Sequence, residues 1–447
     1  MNLTIFVIGI WFFFLYAFTY RSDKSLDFFS PIKFVSLLYM IRNVPYIFFT
    51  ALDEDYFNPY LLFYFDFYNQ ISLEDAFIKY AVIQTIAFIC LILGIRMFSK
   101  KSDYAFQNNR IQLSYKALKF TVYFCFFIGF SGYIYFLNDV GGLVYLLDNL
   151  NDRINIQSGQ YTLQLRPFMS IATVFSVLLI RLGGNKTKDK VLFFFLLTVS
   201  IFILSSTGGR KDSLFLIVMS LAAYYYYLKG NKINLIDRSK LFLVSLLVFL
   251  YVFIIPIVRS KDGLNLITKG EVNFTELIGV SNFFSNLSYT YIDVFAVNHF
   301  NESNTWNFSS LLSIPSNIFD RKKTELRPPI DEGMYFVSSI VWGGDYKPLI
   351  ARNQLREFSF PIENMGFGYA NALLPGVIIS FFLLGLVYRY IYNKFISSGY
   401  NSLWLFVYIF SIFNLNFSSL RLVTFVVIIL LLFIYLMIYN FSKSLLK

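Results

Sequence analysis

The sequence is poor in charge and in cysteine. Charged residues make up 15% of its 447 residues, against about 25% in an ordinary soluble domain. The only cysteines, Cys90 and Cys125, lie inside apolar runs, which excludes a disulfide framework and a cysteine-based zinc site. Hydrophobic residues reach 57% and aromatic residues 21%. This composition indicates a chain whose main solvent is lipid.

Long apolar runs recur along the whole chain and are bounded by charged or turn residues. Such runs approach the ~20 residues needed to cross a ~30 Å hydrocarbon core. They predict an all-α, polytopic integral membrane protein with about eleven transmembrane helices. The predicted helices lie near residues 3–20, 32–50, 76–98, 118–137, 166–182, 190–206, 213–228, 240–258, 370–392, 402–416 and 421–441.

The net charge of +11 comes from an uneven distribution of basic residues. Three short segments are basic and nearly free of acids, and the positive-inside rule places them in the cytoplasm. With these segments inside, the N-terminus is predicted outside and the C-terminus inside a bacterial inner membrane. The basic excess is thus an orientation signal, so no nucleic-acid partner is expected. The segments are Lys100 to Lys119, Arg181 to Lys190 and Lys229 to Lys240.

One connection is much longer than a link between helices requires. It divides the chain into a bundle of eight predicted helices over 1–258, a large extracytoplasmic loop over 259–366 and three last helices over 367–447. Long loops of this kind usually carry function. Within the loop, Glu276 to Phe300 has apolar residues spaced by three or four, which predicts an amphipathic helix lying at the membrane interface.

A glycine-rich turn in front of a helix predicts an anion site on the outer face. Gly208 and Gly209 allow backbone amides to converge, and Arg210 and Lys211 add two cations at a helix N-terminus. The alternative is a tight turn whose basic side chains contact lipid phosphates. Other arginines on the same predicted side fit a diphosphate ligand together, although each alone is explained as a surface charge; they are Arg166, Arg259, Arg327, Arg352, Arg356 and Arg421.

Acid–base candidates are few. Arg42 lies inside the second predicted span, where a charge usually faces a polar interior or reaches towards one membrane face. Asp53-Glu54-Asp55 are contiguous acids, which favours a solvated turn over a metal site, and no metal is predicted. The candidates for proton transfer are the residues of the large loop that can titrate: His299, Glu325, Asp331, Glu332 and Glu363. Of these, His299, Asp331 and Glu363 are the predicted catalytic residues.

Three passages of the sequence resemble the Wzy-type polymerases of oligosaccharide repeat units. The architecture of the whole chain is similar to that family, and its local motifs span residues 200–390. At Ser316, after Pro315, the family pattern has an arginine. The passages are Ser205-Ser206-Thr207-Gly208-Gly209-Arg210; Ile314 to Phe319 with Lys322-Lys323, Arg327-Pro328-Pro329 and Asp331-Glu332-Gly333; and Glu363 to Asn371 with Leu374-Pro375-Gly376.

The resemblance implies a GT-C-like glycosyltransferase. Such an enzyme moves a growing glycan from its undecaprenyl diphosphate carrier onto a lipid-linked repeat unit at the periplasmic face, without cofactor, metal or nucleotide sugar. The implied partners are the lipid-linked oligosaccharide, membrane lipid and a chain-length regulator protein. Two alternatives stay open: an O-antigen ligase, which delivers the glycan to lipid A core, and a flippase, which moves the lipid-linked unit without chemistry.

The charge pattern makes a topological prediction. A reporter fused near Ser313 is expected to read as extracytoplasmic, and one near Asn185 as cytoplasmic, because basic segments alternate with acidic loops along the chain. Enzyme-reporter fusions at both positions measure this. Reversal of both reporters would overturn the predicted outward position of every candidate residue above.

Overall fold

A computed structural model describes most of the chain. The described residues are 1–25, 27–98, 113–149, 156, 161–184, 186–206, 210–228, 288–315, 325–399 and 401–446, and the side chains at 147, 148, 161, 210 and 211 are not included. In these ranges all regular structure is helical. The all-α fold class is therefore confirmed for the described part of the chain.

The main helices follow the predicted apolar runs. In chain order they are α1 (Leu3–Ser22), α2 (Pro31–Leu52), α3 (Pro59–Phe63), α4 (Leu73–Met97), α5 (Tyr115–Val140), α6 (Leu143–Asp148), α7 (Pro167–Leu182), α8 (Thr187–Ser206), α9 (Arg210–Leu228), α10 (Thr290–His299), α11 (Gly333–Trp342), α12 (Asn364–Ser397), α13 (Ser402–Asn414) and α14 (Ser419–Leu445). Short 3-10 or π segments lie between some of them.

Eight of the described helices are long and apolar enough to cross a membrane. They are α1, α2, α4, α5, α7 with the turn before it (Thr162–Leu182), α8, α12 and α14. The α9 and α13 helices are apolar but shorter, and the predicted span at 240–258 lies outside the described residues. The chain is thus a membrane-embedded protein with many spans, and the total of about eleven stays a prediction.

The chain forms two compact units. The first unit comprises Met1–Ser102, Val280–Asn393 and Asn414–Val426, and the second comprises Asp103–Gly279, Lys394–Phe413 and Val427–Lys447. In the first unit α1 packs along α2, and α10 packs on α4 and α2. In the second, α7 packs between α5 and α8, and almost all of its side chains are buried.

The α10 helix corrects the expectation of an interfacial helix. Its side chains are buried on more than one face, including Ile292, Val294, Ala296 and Val297. A helix buried all round belongs to a protein interior rather than to a membrane surface. The described part of the predicted amphipathic stretch is thus a core element, and residues 276–287 lie outside the described residues.

The α12 helix begins with a hairpin. Its backbone leaves helical geometry at Ala372 and Leu373, and Leu373 takes a φ of 52°. The short first segment folds back along the second, so that the Asn364 Nδ2 donates to Ser380 Oγ at 3.3 Å. Gly376 lies so close that a Cβ there would stand 2.1 Å from the Gly368 carbonyl oxygen. Only glycine permits this approach.

Backbone and side-chain hydrogen bonds close the break in α12. The Trp306 amide donates to the Ala370 carbonyl at 2.8 Å, and the Phe308 amide donates to Asn371 Oδ1 at 2.6 Å. The Asn371 Nδ2 in turn donates to the Phe367 carbonyl at 2.8 Å. A helix end in apolar surroundings is stable only when its carbonyls find such donors.

Two glycines set the crossing of α4 and α12 in the first unit. A Cβ on Gly94 would lie 2.3 Å from the Phe382 carbonyl oxygen, and one on Gly385 would lie 2.3 Å from the Leu91 carbonyl oxygen. Small residues at helix crossings let the backbones approach closely in membranes. The contact therefore depends on the absence of a side chain at both positions.

We expect Gly94→Val to destabilise the first unit by about 1–3 kcal/mol, because the two helices must separate to admit the side chain. Thermal unfolding in detergent measures this. The control is Leu93→Val, since Leu93 is 54% exposed and its replacement should change stability by about 0.5 kcal/mol or less. Equal melting temperatures for the two variants would contradict the close crossing.

Candidate functional site

An ion pair joins the second helix to the start of α12. The Arg42 Nη2 lies 3.1 Å from Glu363 Oε1, and their side chains are 31% and 18% exposed. At Glu363 Oε1 the geometry is that of an ion pair, because the angle does not suit a hydrogen bond. The Arg42 guanidinium also lies 5.5 Å from the ring centre of Tyr289. Both charges are therefore held in place, and each side chain is partly exposed.

Asp293 of α10 adds a second carboxylate to this pair. Its Oδ1 accepts the Gly366 amide at 3.1 Å, in the first turn of α12. Burial and the nearby Glu363 charge raise the pKa of Asp293 to about 8, against the opposing effects of Arg42 and the Gly366 amide. Arg42, Asp293 and Glu363 are called the charge cluster below. It places two carboxylates around one cation.

Hydrogen bonds fix the segment that carries Glu363. The Asn416 Nδ2 donates to the Ile362 carbonyl at 3.3 Å, and the Phe417 amide donates to Asn364 Oδ1 at 3.4 Å. Glu363 directly precedes the α12 helix, whose N-terminal amides favour a negative charge. The position of this carboxylate is thus fixed by hydrogen bonds to the residues on either side of it.

The predicted catalytic residue Asp331 and its neighbour Glu332 lie at helix starts. The Asp331 Oδ1 accepts the Gly333 amide at 3.0 Å, and the Glu332 Oε1 accepts the Ser419 amide at 2.8 Å. Burial raises the pKa of both carboxyls, while hydrogen bonds from Ser359 and Ser419 oppose the shifts and the Arg421 charge also opposes that of Asp331. These contacts give both residues the role of helix caps.

The predicted catalytic residue His299 is enclosed in the first unit. Its Nδ1 lies 2.7 Å from the Tyr64 hydroxyl and its Nε2 lies 3.4 Å from Asp345 Oδ1. The ring stacks on Phe295 at 4.8 Å. Burial lowers the pKa of His299 to about 4, although Asp345 opposes the shift. His299 is therefore neutral near pH 7, and it contacts Tyr64, Asp345 and Phe295.

Three predicted substrate-binding arginines lie in the first unit. The Arg352 amide donates to the Arg327 carbonyl at 3.0 Å, which brings these two residues together. The Arg421 charge acts on Asp331. Asp331 in turn bonds Ser359, on the segment that leads to Glu363. Ser359 and Glu363 are four residues apart, so their Cα atoms lie at most ~14 Å from each other.

The other predicted arginine sites belong to the second unit or are not described. The Arg166 Nε donates to the Leu163 carbonyl at 3.1 Å, just before α7. Arg210 and Lys211 are the first residues of α9, as expected from the glycine-rich turn before them. Their side chains are not among those that the structure describes. Arg259 lies outside the described residues. Their part in binding stays a prediction.

The acidic triplet makes local contacts in the first unit. Asp53 Oδ1 accepts the Asp55 amide at 3.2 Å, and Glu54 Oε1 accepts from Asn2 Nδ2 at 3.0 Å. The three side chains are exposed. Within the described ranges, no three His, Cys, Asp or Glu side chains form a group that could hold a metal ion.

Sequence reasoning selected Arg42 and Glu363 but missed Asp293. The residue is an acid within an otherwise buried aromatic helix, and that was the available signal. Comparison with protein-family models, with curated proteins and with solved structures gives no match for this chain. The chemistry of the charge cluster therefore carries the functional argument.

The raised pKa of Asp293 predicts a pH dependence. An unfolded aspartate releases its proton near pH 4, whereas the folded protein holds this proton up to about pH 8. Raising the pH from about 5 to about 9 should therefore lower the melting temperature. We expect a smaller decrease in Asp293→Asn, because the amide has no proton to lose.

Thermal unfolding of the purified protein across this pH range measures the effect. The control is Asp66→Asn, since Asp66 is exposed in the same unit and the variant should keep the original slope. An unchanged slope in Asp293→Asn would show that Asp293 does not hold the proton.

Proposed function

We propose that the chain is a membrane glycosyltransferase that polymerises undecaprenyl-diphosphate-linked repeat units into a surface polysaccharide. The charge cluster carries the proposal, because a partly exposed carboxylate paired with an arginine suits proton transfer from a sugar hydroxyl. The resemblance of residues 200–390 to Wzy-type polymerases supports the same reaction. The proposed setting is the outer face of a bacterial inner membrane, with a GT-C-like bundle of about eleven helices.

In the proposed reaction Glu363 is the general base. A hydroxyl oxygen of the incoming repeat unit attacks the anomeric carbon of the growing glycan, and the bond to the diphosphate breaks with its electron pair. Glu363 accepts the hydroxyl proton as the new bond forms. Arg42, at 3.1 Å, orients Glu363 and favours its ionised form.

Asp293 completes the charge balance of this proposal. With a pKa raised to about 8, it holds a proton near neutral pH, and Glu363 is the carboxylate that we assign as the base. Two carboxylates around one cation separate into an acid and a base in this way. The protonated Asp293 avoids a second negative charge beside the base while the Gly366 amide keeps it in place.

Arginines near Asp331 supply the proposed diphosphate contacts. Arg327 and Arg352 are joined through their backbones, and Arg421 lies by the start of α14. Guanidinium groups bind phosphate oxygens through paired hydrogen bonds, which stabilises a diphosphate leaving group without protonating it. Arg42 pairs with Glu363, so we assign it to positioning the base and not to binding the diphosphate.

One observation favours a second candidate, a transporter of lipid-linked units. The α12 helix is broken, with Leu373 outside helical geometry. Broken helices and protonatable carboxylates recur at the binding sites of membrane transporters. The structure gives less support to the ligase alternative. That alternative depends on a loop histidine, and His299 is enclosed by Tyr64 and Phe295.

We expect Glu363→Gln to slow polymer formation by about 100- to 10,000-fold, the usual contribution of a general base. Glu363→Asp should retain part of the activity, and Arg42→Lys should lose less than Arg42→Ala because it keeps the charge. Purified protein in detergent, supplied only with lipid-linked repeat units, is assayed for longer glycans.

The matched control is Glu302→Gln, which removes an exposed carboxylate of the same unit and should leave the rate unchanged. Full-rate polymer formation by Glu363→Gln would remove Glu363 from the mechanism. If the unaltered protein forms no polymer, the polymerase proposal is rejected. The transporter would then be tested in vesicles, because detergent solution has no compartments between which a lipid-linked unit could be moved.

A further inference from the structure

An apolar groove opens on the second unit beside α5 and α8. Its volume is about 630 Å³, within the range of about 300–1,000 Å³ for small-molecule sites. Phe127 and Phe195 are 67% and 59% exposed there. Its lining is aromatic apart from one valine and consists of Phe120, Tyr123, Phe124, Phe126, Phe127, Phe130, Phe195 and Val199.

Two side-chain contacts show that α5 and α8 run in the same direction, with α7 packed between them. Near their starts the Tyr115 hydroxyl donates to Asp189 Oδ1 at 2.7 Å, and near the other end the Tyr133 and Ser206 hydroxyls lie 2.6 Å apart. The residues from Tyr115 to Tyr133 cover roughly 27 Å at 1.5 Å per residue. The groove lies between these ties, so it runs along the direction of a hydrocarbon core of ~30 Å.

The starts of both helices are strongly basic. The one acid among residues 113–120 and 186–190, Asp189, is only 2% exposed and accepts the Tyr115 hydroxyl. The Lys119 Nζ lies 5.9 Å from the ring centre of Tyr123, which lines the groove. Two helix N-termini add to the positive potential. The lysines, all exposed or half-buried, are Lys116, Lys119, Lys186, Lys188 and Lys190.

The charge and the groove together select the occupant. Lysines at helix ends alone follow from orientation in the membrane, and an aromatic surface alone meets bulk lipid. Here the cationic end adjoins the mouth of a groove that follows the membrane direction. That arrangement matches a molecule with an anionic headgroup and a hydrocarbon chain, and basic clusters at the ends of membrane helices attract anionic lipids.

We propose that the second unit binds one anionic phospholipid, with its headgroup on the lysines around Lys119 and Lys190 and an acyl chain in the groove between α5 and α8. This site is independent of the proposed glycosyltransferase reaction, because none of the charge cluster belongs to the second unit. The protein is therefore expected to retain such a lipid after purification.

A photoreactive phosphatidylglycerol with a diazirine on its acyl chain tests the site in nanodiscs of phosphatidylcholine. Mass spectrometry of the digested protein is expected to find the label on residues 120–130 and 195–199. Unlabelled phosphatidylglycerol should compete for the label, whereas added phosphatidylcholine or inorganic phosphate should not.

Two variants separate the headgroup from the chain. Lys119→Gln with Lys190→Gln should reduce labelling by about tenfold to thirtyfold, since each lysine near the surface contributes to anionic-lipid affinity. Val199→Trp should displace the label by filling the groove without changing the charge. The control pair is Lys24→Gln with Lys79→Gln, which removes the same charge from exposed positions of the first unit and should leave labelling unchanged.

Several results would overturn the proposal. Equal labelling by phosphatidylcholine and phosphatidylglycerol analogues would show that the surface only meets bulk lipid, as would label spread evenly over all exposed helices. Equal labelling of the two double-lysine variants would show that Lys119 and Lys190 do not contact the headgroup. Stronger competition by undecaprenyl phosphate than by phosphatidylglycerol would assign the groove to the isoprenoid carrier instead.

Discussion

An apolar surrounding tolerates a broken helix only where other groups take up the exposed backbone hydrogen bonds, and the first unit depends on this constraint. The reversal of α12 at Leu373 is possible because the Trp306 amide meets the Ala370 carbonyl and Asn371 bonds both Phe367 and Phe308. The reversal aims the first helical turn of α12 at Asp293. The candidate site is thus a consequence of how the break is satisfied.

The charge cluster holds two carboxylates around one arginine. A buried pair of like charges is unfavourable, and here the cost is reduced because Asp293 keeps its proton and Glu363 pairs with Arg42. The same balance separates an acid from a base within one site. The ion pair is partly exposed, and this lowers the desolvation cost that complete burial would impose on it.

Rare polar residues in so apolar a chain bond very different partners. Asp331 and Glu332 bond backbone amides at helix starts, and His299 is neutral among Phe295 and its other buried neighbours. Sequence patterns give the same signal for these residues as for Glu363, because a rare polar residue stands out whatever it bonds. The contacts that distinguish Glu332 from Glu363 belong to segments distant in the chain.

By itself the sequence determined where most helices lie: each predicted span within the described ranges falls on a helix, apart from the break at Ala372 and Leu373 and a few end residues, because hydrophobicity along a segment is a local property. It also selected Arg42 as a charge inside a span and Glu363 as one of several loop carboxylates suited to proton transfer. Only the tertiary structure decided that these two residues pair, that Asp293 joins them, and that α12 turns back on itself. Those outcomes depend on packing between remote segments and on the close approach of Gly368 and Gly376, for which spacing along the chain carries no information.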